Sequence, residues 1–390
     1  MSKNKTSLKK IIYGKQFIDQ KDINSVKNAL TKSLLTTGPL TNQFEKKISN
    51  YLKVKYSHTC NSGTSAILLA LLSIGVKKGD NIIVPSINFI AAANMVKFLG
   101  ANVFFADVNP ETAQSEPQNF HDCITANKLK KIKAFITMYN GGYPRNIIKF
   151  WKFRNKYKCY FIEDACHAFG SSYSNNNKIL KIGSCVHSDI CTFSLHPLKT
   201  ITTFEGGIIT TKNSKISNKI KLYRSHGIER SKKYWEYNVT QIGLNFRLSD
   251  VASSLGISQL KKIRKFLKYR RYIYNYYKRS LHEYKNIIKI IKPELYTLPS
   301  FHLVMVKINF KKLNLDKDQF FSMLNKKNIF CQFHYMPSYK FKIFNQIKKL
   351  KGAEEFYKNG ISLPVHMGLK NKDLLYIVKI IKEIISKQLK

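Results

Sequence analysis

The chain has 390 residues, 44% of them hydrophobic, which is enough for two domains with a sizeable buried core. Its formal net charge of +44 comes mostly from Lys spread along the whole chain, together with many Ile, Asn, Tyr and Phe residues that share AT-rich codons. We interpret this charge as base composition and a solvated basic surface. Because no base-reading motif accompanies it, we expect no nucleic-acid partner.

The seven cysteines contain no Cys-x-x-Cys pair, which argues against a disulfide framework and against a metal site. The first ten residues are basic and polar and precede no apolar core, so no secretory signal is predicted. The longest apolar stretch, residues 66–76, is far shorter than the roughly 20 residues of a membrane-spanning helix. We therefore expect a cytoplasmic protein with no metal and no membrane partner.

Short β-branched segments alternate with helical patterns from residue 21 to about residue 211, which is typical of a mostly parallel sheet with helices between its strands. The predicted strands cover residues 81–84, 102–106, 134–137, 159–162, 190–193 and 208–211. The predicted helices of this region include residues 62–74, 90–99 and 145–156.

A single long helix is predicted from about residue 247 to residue 281, and its middle is rich in Arg, Lys and Tyr. That stretch could form a nucleic-acid surface, but an exposed helix whose tyrosines pack on the body of the protein is favoured. Later predicted elements are a strand over 301–308 and helices over 317–327 and 371–386. The expected division is an N-terminal segment 1–20, a large α/β domain 21–260 and a small α+β domain 261–390.

Small and hydroxyl-bearing residues lie at the start of the helix predicted at residue 62. A helix N-terminus offers free N–H groups and a positive dipole end, and together with the hydroxyl groups this arrangement suits a phosphate. Ser62 is equally consistent with a simple N-cap.

A second candidate site is the apolar strand that ends in Glu163 and Asp164. Open α/β folds bind ligands at the carboxyl ends of their strands, so Asp164 could pair with a cationic group of a cofactor. Adjacent residues of a strand point to opposite faces, and a hydrolase with paired carboxylates is therefore not predicted.

Lys199 follows the strand predicted at 190–193, in a turn-rich segment with hydroxyl-bearing neighbours and a later Gly206-Gly207 pair. A lysine that is partly removed from water loses its proton more easily, as a Schiff-base lysine requires. Its surroundings, and not its residue type, single out Lys199 among the many lysines.

Seven motifs in a fixed order resemble those of the DegT/DnrJ/EryC1/StrS family of sugar aminotransferases. They are Leu35-Thr36-Thr37-Gly38-Pro39, Asn61-Ser62-Gly63-Thr64, Glu163-Asp164-Ala165, Ser194-Leu195-His196-Pro197-Leu198-Lys199, Glu205-Gly206-Gly207, Arg224-Ser225-His226-Gly227 and Asn245-Phe246-Arg247. The resemblance implies a fold-type-I, pyridoxal-phosphate-dependent transferase, with a mainly parallel sheet in the large domain and a small C-terminal α+β domain. It also implies a homodimer with shared active sites.

The resemblance implies that Lys199 carries pyridoxal 5'-phosphate as a Schiff base. Asp164 would pair with the pyridine nitrogen, a pairing that keeps this nitrogen protonated. His167 would approach the phenolic oxygen, and Phe89 would stack on the ring. L-glutamate would convert the cofactor to pyridoxamine phosphate, which would then aminate a nucleotide-linked keto sugar, with Lys199 moving the proton in both half-reactions.

The resemblance also places residues around the phosphate and the substrate. Those at the phosphate are Gly63, Thr64, Ser65, Ser194 and the partner subunit's Asn245. Those near the substrate are Thr37, Tyr139, Arg247 and His334. Family members commonly have His in place of Tyr139, and they have a second His where Ser338 and Tyr339 stand here, so the exact sugar is left open. His334 is equally compatible with a structural role.

The opening Tyr13-Gly14-Lys15-Gln16 and the Leu-Thr-Thr-Gly-Pro motif are most similar to members of the pseudaminic-acid pathway, a bacterial surface-glycan route. These members aminate a UDP-linked 4-keto-6-deoxy-N-acetylhexosamine at C4. One rival hypothesis is a pyridoxamine-phosphate-dependent sugar dehydratase, which has His in place of the Schiff-base lysine and is disfavoured by Lys199. The other is a non-catalytic basic protein that binds nucleic acid or glycan.

Overall fold

A seven-stranded, mainly parallel sheet lies at the centre of the computed structural model, which describes residues 10–32, 34–233, 235–344 and 349–389. The strands are β1 Ile11–Ile12, β2 Tyr56–Cys60, β3 Asn81–Pro85, β4 Asn102–Ala106, β5 Ala134–Met138, β6 Tyr160–Asp164, β7 Ser172–Asn175, β8 Lys178–Lys181, β9 Ile190–Ser194, β10 Gly207–Thr211, β11 Ile228–Arg230, β12 Tyr237–Val239, β13 Ile288–Ile290, β14 Thr297–Leu298, β15 Val304–Ile308, β16 Ile329–Phe330 and β17 Gly360–Leu363. The helices are α1 Gln20–Leu30, α2 Pro39–Leu52, α3 Gly63–Ser73, α4 Ala91–Phe98, α5 Pro117–Ala126, α6 Ile147–Tyr157, α7 Ser214–Arg224, α8 Asp250–Lys261, α9 Ile263–Ser280, α10 Lys317–Lys326, α11 Lys351–Asn359 and α12 Asn371–Gln388.

The central sheet has the strand order β2-β10-β9-β6-β5-β3-β4. β10 runs antiparallel to both of its neighbours, and the other strands are parallel to one another. All six predicted strands are present, and the predicted α/β fold class is confirmed. β2 was not predicted because its sequence, Tyr-Ser-His-Thr-Cys, is polar. The strand is nevertheless buried, and its polar groups have partners there. Thr59, for example, donates to Glu45 through both its N–H and its hydroxyl group.

Helices cover both faces of the sheet, as its hydrophobic central strands require. In β5, Ile136 packs into a cluster with residues of α3, α4 and α7, while Phe135 faces the opposite cluster with α5 and α6. α2 and α8 cover that second face farther along, beneath β9 and β10. The sheet is thus buried on both sides, and its carboxyl edge is the place where a ligand can approach.

The prediction of one long helix over residues 247–281 is wrong in its extent. This segment is two helices, α8 and α9, interrupted at Lys262, whose ammonium group binds Asp19 at 2.8 Å and Asp22 at 2.5 Å. α8 also begins later than predicted, because the Ser249 side chain accepts from the N–H of Ala252 and caps the helix. The strand predicted from residue 301 begins at Val304 instead.

The C-terminal region contains an antiparallel sheet, β13-β15-β17, with α9 and α12 packed together beside it. The N-terminal strand β1 pairs in parallel with β16, so the N-terminal segment is held on the C-terminal region. Of the helices in the described part of the chain, none has both the length and the apolar character needed to cross a membrane. The three-part division of the chain stays a prediction.

Candidate active site

A cavity of about 530 Å³ opens at the carboxyl ends of β5, β6 and β9. Its floor, as we use the term, consists of Gly63, Thr64, Asp164, Ser194 and Lys199. Its wall consists of Tyr13, His302 and residues 332–335. Phe89, Cys166 and His167 also line the cavity, together with Ser62, Ile67, Ala91, Met138, His196, Leu198 and Glu205.

One corner of the floor is the N-terminus of α3 against the end of β9. A Cβ atom added to Gly63 would lie 2.8 Å from the Cβ of Ser194, so only glycine permits this approach. The N–H groups of the first helical turn have no partners within the helix, and the dipole there is positive. This corner therefore has the donors and the field that a phosphate group needs.

Ser62 is the N-cap of α3, which was one of its two predicted roles, the other being part of a phosphate site. Its hydroxyl accepts from the N–H of Ser65 at 3.0 Å and lies 2.9 Å from the hydroxyl of Ser65. Ser65 is buried, its polar groups are bonded to Ser62, and it does not line the cavity. We refer to Gly63, Thr64 and Ser194, which do line the cavity, as the phosphate corner, and a phosphate role for any of these residues or for Ser65 stays a prediction.

Asp164 and Lys199 face the same cavity. Asp164 is 2% exposed, and one of its carboxylate oxygens accepts from the N–H of Cys166 at 3.1 Å. Burial raises the pKa of Asp164, while Cys166, Lys199 and Asn88 oppose that rise. Burial lowers the pKa of Lys199, against the attraction of Cys166 and Asp164. Desolvation thus favours the neutral amine that a nucleophilic lysine requires.

His167 has both ring nitrogens engaged by the protein. Nδ1 accepts from the N–H of Gly141 at 3.2 Å, and Nε2 lies 2.9 Å from the hydroxyl of Tyr335. The ring of His302 packs beside it, with 4.3 Å between centroids. Burial, with smaller effects of Lys199 and His334, holds the pKa of His167 well below its usual value. The imidazole is therefore neutral.

Glu163 lies on the face of the sheet opposite Asp164, as the alternation of strand side chains predicts. Its carboxylate accepts from the hydroxyl of Tyr139 at 2.5 Å and from that of Ser188 at 2.7 Å. Tyr139 is 1% exposed and packs in the core with Phe169 and other residues of that face. The structure therefore places Tyr139 outside the cavity, away from the substrate position that the resemblance implied.

On the wall, Nδ1 of His334 lies 2.9 Å from the hydroxyl of Ser362, and its ring packs 5.2 Å from that of Tyr13. Burial lowers the pKa of His334 to about 3. Phe89 is 53% exposed in this single chain, and its ring lies 5.8 Å from that of Tyr335. Phe89 therefore has an open face available for stacking.

Besides Ser65 and Tyr139, three more predicted residues lie outside the cavity of this chain, namely Thr37, Asn245 and Arg247. Asn245 is exposed, and its side chain accepts from the N–H of Arg247 at 3.3 Å. Because Ser249 caps α8, Asn245 has no capping role there. Thr37 is exposed with a positive φ of 58°. Sequence reasoning assigned no role to Tyr13, His302, Cys166 or Tyr335, although Tyr335 directly follows the predicted His334.

A model of the DegT/DnrJ/EryC1/StrS aminotransferase family matches residues 16–382. The chain belongs to this family. The predictions of family membership and of transaminase activity are thereby confirmed. Like other members of the DegT/DnrJ/EryC1/StrS family, the chain is an aminotransferase.

The chain is similar over nearly its whole length to several family members. A UDP-4-amino-4,6-dideoxy-N-acetyl-beta-L-altrosamine transaminase of Campylobacter jejuni is 34% identical over 383 residues, which cover 97% of this chain and 98% of the relative. A GDP-perosamine synthase of Escherichia coli O157:H7 is 29% identical, with 90% and 91% covered. The solved structure of Helicobacter pylori PseC, an aminotransferase involved in pseudoaminic acid biosynthesis, matches with a TM-score of 0.89 and 30% identity, over 97% of this chain and 100% of that one.

Proposed function

We propose that this aminotransferase uses pyridoxal 5'-phosphate to move an amino group from L-glutamate to C4 of a UDP-linked 4-keto-6-deoxy sugar. The observation that carries the proposal is the floor of the cavity. There a helix N-terminus with Gly63, the buried carboxylate of Asp164 and Lys199, whose pKa is lowered by desolvation, face one space. These are the groups needed to hold a phosphate, a protonated ring nitrogen and an aldehyde, so the residues fit the cofactor.

Each part of the cofactor has a residue suited to it. Gly63, Thr64 and Ser194 would hold the phosphate, and Asp164 would hold the pyridine nitrogen. Phe89 would cover the ring with its exposed face. When bound, the cofactor supplies an electron sink for the bond broken beside the transferred amine.

The chain's own residues carry out the proton transfers. Nζ of Lys199, made neutral by desolvation, accepts the proton from the carbon that bears the amino group of glutamate. In the second half-reaction, the same atom returns a proton to the carbon of the sugar that receives the amine. Asp164 stays ionised beside the cation that it holds, because that pairing offsets the effect of burial on its pKa.

The choice of a UDP sugar rests on the relatives. The Campylobacter jejuni transaminase acts on a UDP-linked 4,6-dideoxy sugar by name, and a Helicobacter pylori transaminase of the same name is 32% identical over 369 residues. The GDP-perosamine synthase is less similar. A pathway that makes sugars for bacterial surface glycans, such as pseudaminic acid, is the setting that these names favour.

Product analysis tests this proposal. The holoenzyme is incubated with L-glutamate and, separately, with UDP-, GDP- and dTDP-linked 4-keto-6-deoxy sugars. We expect a C4 amine from the UDP-linked N-acetylhexosamine and an equal amount of 2-oxoglutarate. A sugar that loses water without formation of 2-oxoglutarate would instead identify a dehydratase. Turnover confined to the GDP or dTDP sugars would refute the assignment of the nucleotide.

We also propose a homodimer with shared sites that works in the cytoplasm. All seven cysteines are free thiols, which suits a reducing compartment. The segment before Asn245 exposes Ile242 to 90% and Leu244 to 49%, and Phe204, near the floor, is 51% exposed. Exposed apolar side chains of this kind are typical of an interface. An interface here would bring Asn245 to the partner's phosphate corner.

Subunit mixing tests the shared site. A Lys199→Ala variant and an Asn245→Ala variant should each be inactive or strongly impaired. Heterodimers of the two carry one site with both wild-type residues, so an equal mixture should recover about a quarter of wild-type activity. If subunit exchange is demonstrated independently and no activity returns, Asn245 acts only within its own subunit.

A further inference from the structure

The hydrogen bonds of His167 have a fixed direction. A backbone N–H can only donate, so the N–H of Gly141 requires a lone pair on Nδ1 of His167. In a neutral imidazole the proton then resides on Nε2. Nε2 therefore donates to the hydroxyl oxygen of Tyr335, 2.9 Å away.

This direction leaves the hydroxyl hydrogen of Tyr335 available. Among the described residues, no protein group accepts it, and Tyr335 lines the cavity that contains Lys199. Burial raises the pKa of Tyr335 well above its ordinary value, so the phenol keeps this proton. A donor that faces a ligand cavity without a protein acceptor is suited to an oxygen of the ligand.

The chemistry of the wall indicates which ligand. Burial lowers the pKa values of His302 and His334, so both rings are neutral like that of His167. The dicarboxylate L-glutamate requires cationic partners, which the wall lacks within the described residues. A sugar is neutral and rich in oxygen, and it matches a wall of phenol and imidazole groups.

We infer that Tyr335 is a specificity-determining residue for the amino acceptor, and that its hydroxyl donates to a sugar oxygen while His167 holds it in place. The inference rests on the proposed function, because it takes the acceptor to be a keto sugar. It also makes His167 a positioning residue that acts through Tyr335, in addition to any contact with the cofactor.

The test compares the two half-reactions of the holoenzyme in Tyr335→Phe, a change that removes the hydroxyl and retains the ring beside Phe89. The glutamate half-reaction is followed by the change in the absorbance of the cofactor. The acceptor half-reaction is followed by the return of this absorbance to its starting value when the keto sugar is added. We expect KM for the sugar to rise about tenfold, the size of one hydrogen bond, with the glutamate half-reaction within about twofold of wild type.

Tyr277→Phe is the matched control, because the hydroxyl of the buried Tyr277 donates to the carbonyl of Pro364 at 3.0 Å outside the cavity. Its KM for the sugar should match that of the wild type. Equal slowing of both half-reactions in Tyr335→Phe would show that the hydroxyl serves the cofactor instead, and unchanged kinetics would show that only the ring matters. Either result overturns the inference. A wild-type protein that aminates no keto sugar would instead refute the proposed function.

A second measurement checks the direction of the hydrogen bonds without using activity. Nitrogen NMR of histidine-labelled protein, with the His167 signals assigned by comparison with His167→Gln, should show the proton on Nε2 and none on Nδ1. A proton on Nδ1 would reverse the direction of the hydrogen bond between His167 and Tyr335. The hydroxyl of Tyr335 would then donate to Nε2 and could not donate to a sugar, which would contradict the inference.

Discussion

The floor and the wall of the cavity are built in different ways. The floor consists of strand ends and one helix N-terminus within residues 63–199, all held at one edge of the central sheet. The wall brings Tyr13 together with His302 and residues 332–335, which are far apart in the sequence. The floor contains the carboxylate of Asp164 and the amine of Lys199 and suits the proposed cofactor, whereas the wall is neutral and suits the proposed sugar. The proposed function thus assigns chemistry and specificity to separate parts of the fold.

The largest effect is expected on the floor, from Lys199→Ala. Without the amine there is neither covalent attachment of the cofactor nor proton transfer, so turnover should fall more than about a thousandfold. The near-visible absorbance of the bound cofactor should change as well. Lys215→Ala, at an exposed position on α7, is the control. Normal transamination by Lys199→Ala would remove this residue from the mechanism.

Two adjacent carboxylates on opposite faces of β6 give the next test. Asp164→Asn should retain the cofactor but turn over about a hundredfold more slowly, because an amide cannot stabilise the protonated ring nitrogen that the proposed function places beside Asp164. Glu163→Gln should keep near-normal kinetics and lose about 1–3 kcal/mol of unfolding free energy, since Glu163 serves Tyr139 and Ser188 in the core. Steady-state kinetics and denaturant unfolding distinguish the two. Similar kinetic losses in both variants would contradict the separation of the faces.

Gly63→Ala should weaken cofactor binding about ten- to a hundredfold, because its new methyl group would push α3 away from Ser194. A titration of the cofactor-free protein by absorbance measures this. Gly14→Ala is the control, since a Cβ atom there would lie 3.6 Å from Leu198, an ordinary contact. Equal affinities in the two variants would argue against the phosphate corner.

The smallest effect is expected on the wall, where His334 should change how the free energy of unfolding depends on pH. His334 takes up a proton near pH 6.5 in the unfolded chain but only near 3 in the folded protein. The unfolded state binds more protons in between, so the free energy of unfolding falls as the pH is lowered through this interval. In His334→Gln, the decrease in the free energy of unfolding from pH 6 to pH 4 should be smaller than in the wild type by about 2 kcal/mol. Urea titrations at several pH values measure this free energy. If its pH dependence is the same in the variant and in the wild type, His334 is not held neutral.

The sequence predicted the floor better than the wall, for a physical reason. Asp164 and Lys199 follow recognisable strands, and the carboxyl ends of parallel strands meet at one edge. No local signal brings Tyr335 to His167, because that contact joins residues 168 positions apart. Tyr139 directly follows β5, and no local signal showed that its side chain is buried in the core beside Glu163 and away from the cavity.

The pairing of β1 with β16 has a consequence for the order in which the site is assembled. Ile11 and Ile12 have their strand partners at Ile329 and Phe330, and the carbonyl of Tyr13 accepts from the N–H of Val365. During synthesis the sheet edge can form once about residue 211 has emerged, but the N-terminal strand must wait for more than a hundred further residues. The N-terminal strand therefore takes its place after the central sheet has formed, and the wall, which includes Tyr13, is complete only then.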